Sequence, residues 1–278
     1  DLLQICIDSI FDKTDYPDYR VLIIDNGSDD AAALAYLEQL AAHNRCEVIR
    51  DPRPFNFSAL INQGIRASKT ELVCAMNNDI EIISTDWLRE MVSVLQQPNI
   101  GIVGAKLLYP DDTVQHGGVI LGINGVGGHA HKHFPADSHG YADRLISRQE
   151  LSAVTAACLL TTRSIFDAVG GFDEQHLPIA FNDVDFCLEV RQRGFKIVWT
   201  PHASMYHHES KSRGLEDTNS KIRRFNNEVD WMKSKWGPLL LHDPHYNANL
   251  SLSHEDFSLA IEPRYQQFPE RVDSGDIK

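Results

Sequence analysis

The feature that most constrains the fold of this chain is an apolar segment that stops abruptly at polar residues. Residues 71–76 have the composition of a buried strand, and Asn77, Asn78 and Asp79 follow directly. A strand that ends at a carboxylate places it at the rim of a sheet, where open α/β folds bind ligands. Ionised Asp suits a hard divalent cation, which can hold a diphosphate. The same three residues are also typical of a plain turn, so other segments must decide.

Strand and helix patterns alternate along the chain. We predict strands at 20–25, 47–50, 71–77, 100–104, 118–121, 153–160 and 196–199, and helices at 2–10, 29–42, 57–68, 87–97, 183–193 and 219–236, with a further helix from Ser164. This alternation predicts a layered α/β fold with a mostly parallel central sheet flanked by helices. Residues 109–150 are rich in Gly, His and Asp, and a long irregular insertion of this kind is typical of a functional loop.

Composition excludes some classes of partner. The net charge of −13 argues against a nucleic-acid surface. An anionic ligand would therefore need a metal or a local basic patch, and one candidate patch consists of Lys211, Arg213, Lys221, Arg223 and Arg224. A solvated helix face explains such a run equally well. The five cysteines are scattered without metal-type spacing, which indicates a reducing compartment.

Three further polar segments follow predicted strands or begin helices. Asp25 ends the first strand and can accept hydrogen bonds from a nucleobase or a ribose, or cap the next helix. Asp183 and Asp185 stand two residues apart at a helix start, so they cannot share a face. One of them can serve as a general base while the other holds a neighbour. His207 and His208 follow a strand and precede the basic patch, where an imidazole could complete a metal site begun by Asp79.

These motifs occur in one order along nearly the whole chain. They are DNGS at 25–28, NND at 77–79, GGFDE at 170–174, NDVD at 182–185 and HHESKSRG at 207–214. The series closely resembles family 2 glycosyltransferases, whose fold is the Rossmann-like GT-A fold of nucleotide-diphospho-sugar transferases. The tail DPHYNANLS at 243–251 looks like the bacterial polysaccharide and O-antigen branch, rhamnosyltransferases among them.

The resemblance implies a role for each matching residue. Asp79 matches the last acid of the family's DxD signature and would bind Mn²⁺ or Mg²⁺. His207, favoured over His208, would be a further metal ligand, and Asp183 would be the catalytic base. Asp25 would contact the nucleoside. Three more residues would help to bind the nucleotide diphosphate: Asn77, Lys211 and Arg213.

The chain also departs from the family pattern. Asn77 replaces the first acid of DxD, which leaves the metal charge to Asp79 with Glu81 as a lesser helper, and Asn182 replaces the Glu that precedes the base. Family members begin with a strand that lines the nucleotide pocket, and this sequence starts after the place of that strand. We therefore expect one GT-A domain over 1–278 that belongs to a longer protein. Its parts would be a nucleotide-binding half (1–108), an acceptor and catalytic half (109–214) and a C-terminal helix and tail (215–278).

The expected activity is metal-dependent, inverting transfer of a sugar, such as a hexosyl or rhamnosyl group, from a nucleotide-diphosphate donor to a glycan or lipid-linked glycan in bacterial surface polysaccharide synthesis. We expect a cytoplasmic location, with the inner face of the plasma membrane reachable through the acceptor or the parent protein. Nucleic acid is not an expected partner, whereas other domains of the same polypeptide are. Two alternatives stay open: a silent glycan-binding or scaffold domain of GT-A type, and a sugar-phosphate nucleotidyltransferase.

Overall fold

A computed structural model describes residues 2–208 and 218–264. The helices are α1 (Leu2–Lys13), α2 (Ala31–Ala41), α3 (Phe57–Ala67), α4 (Trp87–Leu95), α5 (Arg163–Val169), α6 (Asn182–Gln192) and α7 (Asn219–Leu241). The strands are β1 (Val21–Asp25), β2 (Cys46–Arg50), β3 (Leu72–Met76), β4 (Ile80–Ile82), β5 (Ile100–Leu108), β6 (Val114–His116), β7 (Val119–Leu121), β8 (Gly127–His129), β9 (Gln149–Leu151), β10 (Cys158–Thr162) and β11 (Lys196–His207). Short 3-10 turns occupy Ile123–Gly125 and Tyr141–Asp143.

The predicted α/β class is confirmed, but the strand directions are mixed. In the described residues the main sheet has seven strands, with β3-β10-β5-β11-β4 along its path, β6 beside β5 and β9 beside β11. The pair β5–β11 is parallel, whereas the other pairs of this sheet are antiparallel. The prediction of a mostly parallel sheet was therefore wrong. The antiparallel pairs of β10 arise because this strand follows the insertion without a crossover helix and enters between β3 and β5 in the opposite direction.

β1 and β2 form a parallel two-stranded sheet separate from the main one. Helix α3 packs against both β1 and β3. Its N-cap is Asn56, whose side chain accepts a hydrogen bond from the backbone N–H of Ala59 and so satisfies one exposed donor of the first turn.

Helices cover both faces of the main sheet. One apolar cluster joins α1 and α4 to the sheet, and a second joins α3, α5, α6 and α7 to its other face. Trp199 in β11 and Phe166 in α5 are almost completely buried in the second cluster. The layered arrangement follows from the need of each amphipathic helix to bury its apolar stripe.

The insertion at 109–150 holds more regular structure than the sequence indicates. Beside β7 it contributes β6, β8 and the start of β9, and β7 and β8 form a small antiparallel sheet of their own. The predicted strand at 153–160 begins only at Cys158, because residues 153–157 form a loop that contacts the candidate site. No helix in the described ranges is both long and apolar enough to cross a membrane.

Candidate functional site

The strongest candidate site lies where β4 and β11 pair. Asp79 directly precedes β4, and His207 is the last residue of β11. The register sets Ile80 opposite His207, which places the Asp79 carboxylate beside the imidazole. Asp79 Oδ1 lies 3.1 Å from His207 Nε2, and both side chains are buried. The structure therefore brings together the two residues that the sequence predicts as metal ligands.

The neighbouring histidine faces a different partner. His208 Nε2 lies 3.1 Å from Glu81 Oε2, and Glu81 also lies 3.7 Å from Lys13 Nζ. Glu81 and His208 thus pair with each other rather than with the side chains of Asp79 and His207. This arrangement favours His207 over His208 as a ligand.

Asn77 completes the surroundings of the pair. Its Nδ2 lies 3.1 Å from His207 Nε2, and its Oδ1 is buried without a hydrogen-bond partner among the described residues. Rotation of the amide would exchange its oxygen and nitrogen, so Asn77 can present an oxygen to the same point. A carboxylate, an imidazole nitrogen and an amide oxygen fit Mn²⁺ or Mg²⁺, which take further ligands from phosphate and water. No cluster of three or more His, Cys, Asp or Glu side chains forms a metal site in the ranges 2–208 and 218–264.

One loop connects this site to Asp183. The backbone N–H of Ala156 donates to Asp183 Oδ2 at 3.0 Å, and the carbonyl of the next residue, Ala157, accepts from the backbone N–H of Asn77 at 3.0 Å. Successive Cα atoms are about 3.8 Å apart, so the loop holds the Asp183 carboxylate and the Asn77 backbone close together. Asp183 is half-buried rather than directed wholly into solvent.

Asp185 has a structural role distinct from that of Asp183. Its carboxylate accepts from Trp236 Nε1 at 2.7 Å and lies 2.7 Å from Lys235 Nζ, which attaches α7 to α6. Burial raises the pKa of the Asp185 carboxyl, and the hydrogen bonds from Lys235 and Trp236 oppose that rise. The two acids therefore point in different directions, as their spacing predicts.

The start of α6 is held from two sides. Phe181 precedes it with φ 59°, a left-handed conformation that is strained for a bulky residue. The buried carboxylate of Glu228 in α7 accepts from the backbone N–H groups of Ile179 and Ala180. These contacts fix the segment that carries Asp183.

Asp25 lies at the end of β1 and is already paired. Its Oδ2 lies 3.0 Å from Arg50 Nη1, and its Oδ1 accepts from the backbone N–H of Ser28. The Arg50 side chain is 54% exposed, so a ligand can displace it.

Two predicted residues, Lys211 and Arg213, lie outside the described residues. The rest of the predicted basic patch begins α7, where Arg224 Nε lies 3.3 Å from Glu228 Oε2. Part of that patch therefore supports the segment before α6.

Sequence reasoning missed Gln115 and His116 in β6. Gln115 Oε1 lies 2.6 Å from His207 Nδ1. His116 Nε2 accepts from the backbone N–H of Thr155 at 3.3 Å, and burial lowers the pKa of its imidazole well below the usual value. The available signal was the polar pair Gln115 and His116 beside the apolar Val114. These residues lie in 109–150, a range interpreted as irregular from its sequence.

Comparison with known proteins gives relatives over most of the chain. The sequence model of glycosyl transferase family 2 matches residues 1–170. Protein y4gI of Sinorhizobium fredii is 49% identical over 265 residues, which cover 95% of this chain and 29% of the relative. O-antigen biosynthesis protein RfbC of Myxococcus xanthus is 35% identical over 271 residues, covering 95% of this chain and 20% of the relative. The chain thus spans less than a third of the length of either relative.

A solved structure shows the same fold. It is the mannosyltransferase PcManGT from Pyrobaculum calidifontis in complex with GDP-Man and Mn²⁺, with a TM-score of 0.59 and 15% identity. The match covers 86% of this chain and 64% of PcManGT. At this identity the likeness shows the GT-A fold alone.

Proposed function

This chain belongs to glycosyl transferase family 2, and from that premise we propose that it transfers a sugar from a nucleotide-diphosphate donor to a carbohydrate hydroxyl with inversion at the anomeric carbon. The acceptor is a glycan or lipid-linked glycan of a bacterial surface polysaccharide. The sequence likeness to an O-antigen biosynthesis protein supports this acceptor class. The complex of PcManGT with GDP-Man and Mn²⁺ supports the donor class and the cation.

The observation that supports the proposal is a loop that contacts both Asp183, the proposed base, and Asn77, next to the proposed cation ligands Asp79 and His207. Asp79 Oδ1 and His207 Nε2 lie 3.1 Å apart, and the adjacent residues Ala156 and Ala157 connect Asp183 to Asn77. Sugar transfer needs these two functions side by side: charge stabilisation at the leaving diphosphate and a base at the attacking hydroxyl.

The chemistry divides between these groups. A bound Mn²⁺ or Mg²⁺ supplies positive charge that stabilises the departing diphosphate by several kcal/mol. Asp183 accepts the proton of the acceptor hydroxyl while that oxygen bonds to the anomeric carbon, and the bond from this carbon to the diphosphate oxygen breaks with its electron pair. A positioned general base contributes roughly 10²–10⁴-fold. A single displacement of this kind inverts the anomeric centre.

The hydrogen bonds of Asp183 suit this role. Oδ1 accepts from the backbone N–H of Val184 at 2.8 Å, and Oδ2 accepts from that of Ala156. Each carboxylate oxygen has about two acceptor positions, so each retains one that can take a proton. The two backbone donors hold the carboxylate in a fixed orientation.

Nucleotide recognition falls to other residues. Asp25 would accept hydrogen bonds from the nucleoside after Arg50 moves aside. Asn77 would contact the diphosphate or its cation. Lys211 and Arg213 would neutralise the diphosphate, as proposed from the sequence, since paired cations are strong partners for phosphate.

The test is Asp183→Asn, with Asp230→Asn on the exposed face of α7 as the matched control. We expect the first variant to lose transfer by at least about 10²-fold while it binds donor with Mn²⁺ as wild type does in calorimetry. The control should transfer at the wild-type rate. Transfer by Asp183→Asn near the wild-type rate would remove Asp183 from its role.

A binding function without transfer is the second candidate. The observations that favour it are the amides at Asn77 and Asn182, where the family has acids, and the occupation of Asp25 by Arg50. A scaffold domain would bind glycan or donor without releasing nucleoside diphosphate. Measuring that release by the full-length protein, with donor and a surface-glycan extract, separates the two functions.

A further inference from the structure

We propose that Gln115 is a positioning residue that fixes the tautomer and the ring orientation of His207, so that Nε2 faces the cation position. The inference rests on the proposed function only in so far as the cation belongs to it. His207 supplies the imidazole beside Asp79. It can bind an ion there only if its Nε2 carries a lone pair rather than a proton.

The first step is the orientation of the Gln115 amide. Gln115 Nε2 lies 3.4 Å from the backbone carbonyl oxygen of His207, and Gln115 Oε1 lies 2.6 Å from His207 Nδ1. A carbonyl can only accept, so the NH₂ end of the amide must face it. The oxygen end then faces Nδ1, which must donate. Neutral His207 is therefore protonated on Nδ1.

The second step follows from the ring. When Nδ1 carries the proton, Nε2 carries the lone pair. That lone pair lies 3.1 Å from Asp79 Oδ1, which is also an acceptor, and 3.1 Å from the Nδ2 donor of Asn77. Two acceptors that face each other this closely need a positive charge between them, and a metal ion can supply it. Imidazole ligands of metals are commonly fixed by a hydrogen bond at the other nitrogen. Here Gln115 makes that hydrogen bond.

The third step is the backbone that aims Gln115. Leu107 of β5 pairs with His116, whereas the next residue, Leu108, pairs with Val114. Gln115 is therefore the extra residue of a β-bulge, which redirects a side chain out of the regular alternation. The Gln115 side chain is buried, with 2% of the residue exposed. The bulge and the hydrogen bonds are independent observations that agree on one role.

The consequence of losing the amide is specific. Without an acceptor at Nδ1, the imidazole can move its proton to Nε2 and donate to the Asp79 carboxylate. A proton at that point occupies the position that a cation would take. Gln115 thus excludes the tautomer that would block the site.

Two substitutions of similar size test the proposal. Gln115→Glu keeps an oxygen acceptor at Nδ1, whereas Gln115→Met fills the space without one. We would record the imidazole ¹⁵N shifts of His207 in the metal-free proteins at pH 8 and assign them with His207→Gln. Binding of Mn²⁺ alone, without donor or acceptor, would be measured by calorimetry.

We expect Gln115→Glu to keep the proton on Nδ1 and to bind Mn²⁺ within a few-fold of wild type. Gln115→Met should shift the tautomer towards Nε2–H and weaken Mn²⁺ binding by about 10–100-fold, the range typical of groups that orient a ligand. A merely structural role predicts the reverse, because Met preserves the packing and Glu buries a charge.

An unchanged tautomer in a folded Gln115→Met protein would overturn the proposal. Circular dichroism and thermal unfolding establish that each variant is folded. If wild type binds no Mn²⁺, the cation of the proposed function fails, yet the tautomer in the metal-free protein still decides the role of Gln115.

Discussion

The two sheets each hold a carboxylate of the proposed site, and they hold it differently. In the main sheet, Asp79 lies beside the buried imidazole of His207, which Gln115 holds in turn. In the two-stranded sheet, Asp25 lies beside Arg50, a side chain that is more than half exposed. Strand β5 is almost wholly buried, whereas most residues of β1 are half-buried.

This difference separates two parts of the proposed reaction. Charge stabilisation and proton transfer need groups that are already in place before the reaction. Recognition of a nucleoside tolerates a partner that moves aside, since binding itself can supply the energy. In the proposed function, the main-sheet side would therefore set the chemistry, and the β1–β2 side would adapt to the donor.

The largest expected effect is on the main-sheet side. Asp79→Ala removes the carboxylate from the proposed cation position. We expect Mn²⁺-dependent affinity for a nucleoside diphosphate to fall by about 100-fold or more, because a cation there would contribute several kcal/mol. Glu81→Ala is the matched control, since that carboxylate contacts His208 and Lys13 instead. Calorimetry with and without Mn²⁺ measures both. Equal losses in the two variants would contradict the assignment of the cation to Asp79.

The second prediction compares how much a buried side chain contributes to the free energy of unfolding in each of the two sheets. Leu107→Ala in the fully buried part of β5 should lower the free energy of unfolding by about 3 kcal/mol, because it leaves a cavity in a close-packed core. Ile23→Ala in half-buried β1 should lower it by about 1 kcal/mol. Urea unfolding of both variants gives the two values. A larger loss for Ile23→Ala would reverse the comparison.

Much of this arrangement could be predicted from local patterns. Apolar runs predicted most strands and helices, because burial imposes its period on the sequence. The spacing of Asp183 and Asp185 predicted opposite directions for them, since residues two apart do not share a helix face. The pairing of Asp79 with His207 was expected from family motifs.

The rest depends on contacts between distant segments. Gln115 was missed because its role comes from a bulge against β5 and from a hydrogen bond to His207, which is 92 residues away in sequence. The strand order of the main sheet could not be predicted, because the sequence of residues 158–162 does not indicate that this strand lies between β3 and β5. Local periodicity indicates which residues are buried, but it does not indicate which strand or helix they pack against.

The third prediction concerns pH, and it uses a buried histidine of the insertion at 109–150, which stacks on Phe257. Burial lowers the pKa of His131 to about 4, and its Nε2 accepts from the backbone N–H of Tyr141. The unfolded chain has the ordinary value of about 6.5, so the unfolded state binds more protons below that pH. The contribution of neutral His131 to the free energy of unfolding is therefore fully present above pH 6.5 and is lost as pH falls from there towards 4.

Between pH 7 and pH 5, His131 should account for about 2 kcal/mol of lost unfolding free energy. His131→Asn removes the titrating group, and Asn tolerates the left-handed backbone at this position, where φ is 59°. The variant should show a flatter dependence of stability on pH in urea unfolding. His202→Asn, at an exposed histidine, is the control for the loss of a surface imidazole.

The smallest expected effect is on the β1–β2 side. Arg50→Met removes the guanidinium beside Asp25 and keeps much of the apolar stem. We expect the free energy of unfolding to change by less than about 1 kcal/mol, because the arginine is more than half exposed and its ion pair is screened by water. Asp25 keeps its hydrogen bond from the Ser28 backbone. The change should shrink further in 1 M salt, since salt screens exposed charges.

Arg89→Met, at an ion pair in which both side chains are exposed, is the control for an ordinary surface pair. If Arg50→Met cost about 2 kcal/mol or more and the control did not, Asp25 would be held as firmly as Asp79. The nucleoside side would then be as preformed as the side that carries the chemistry, and donor binding could not depend on displacing Arg50.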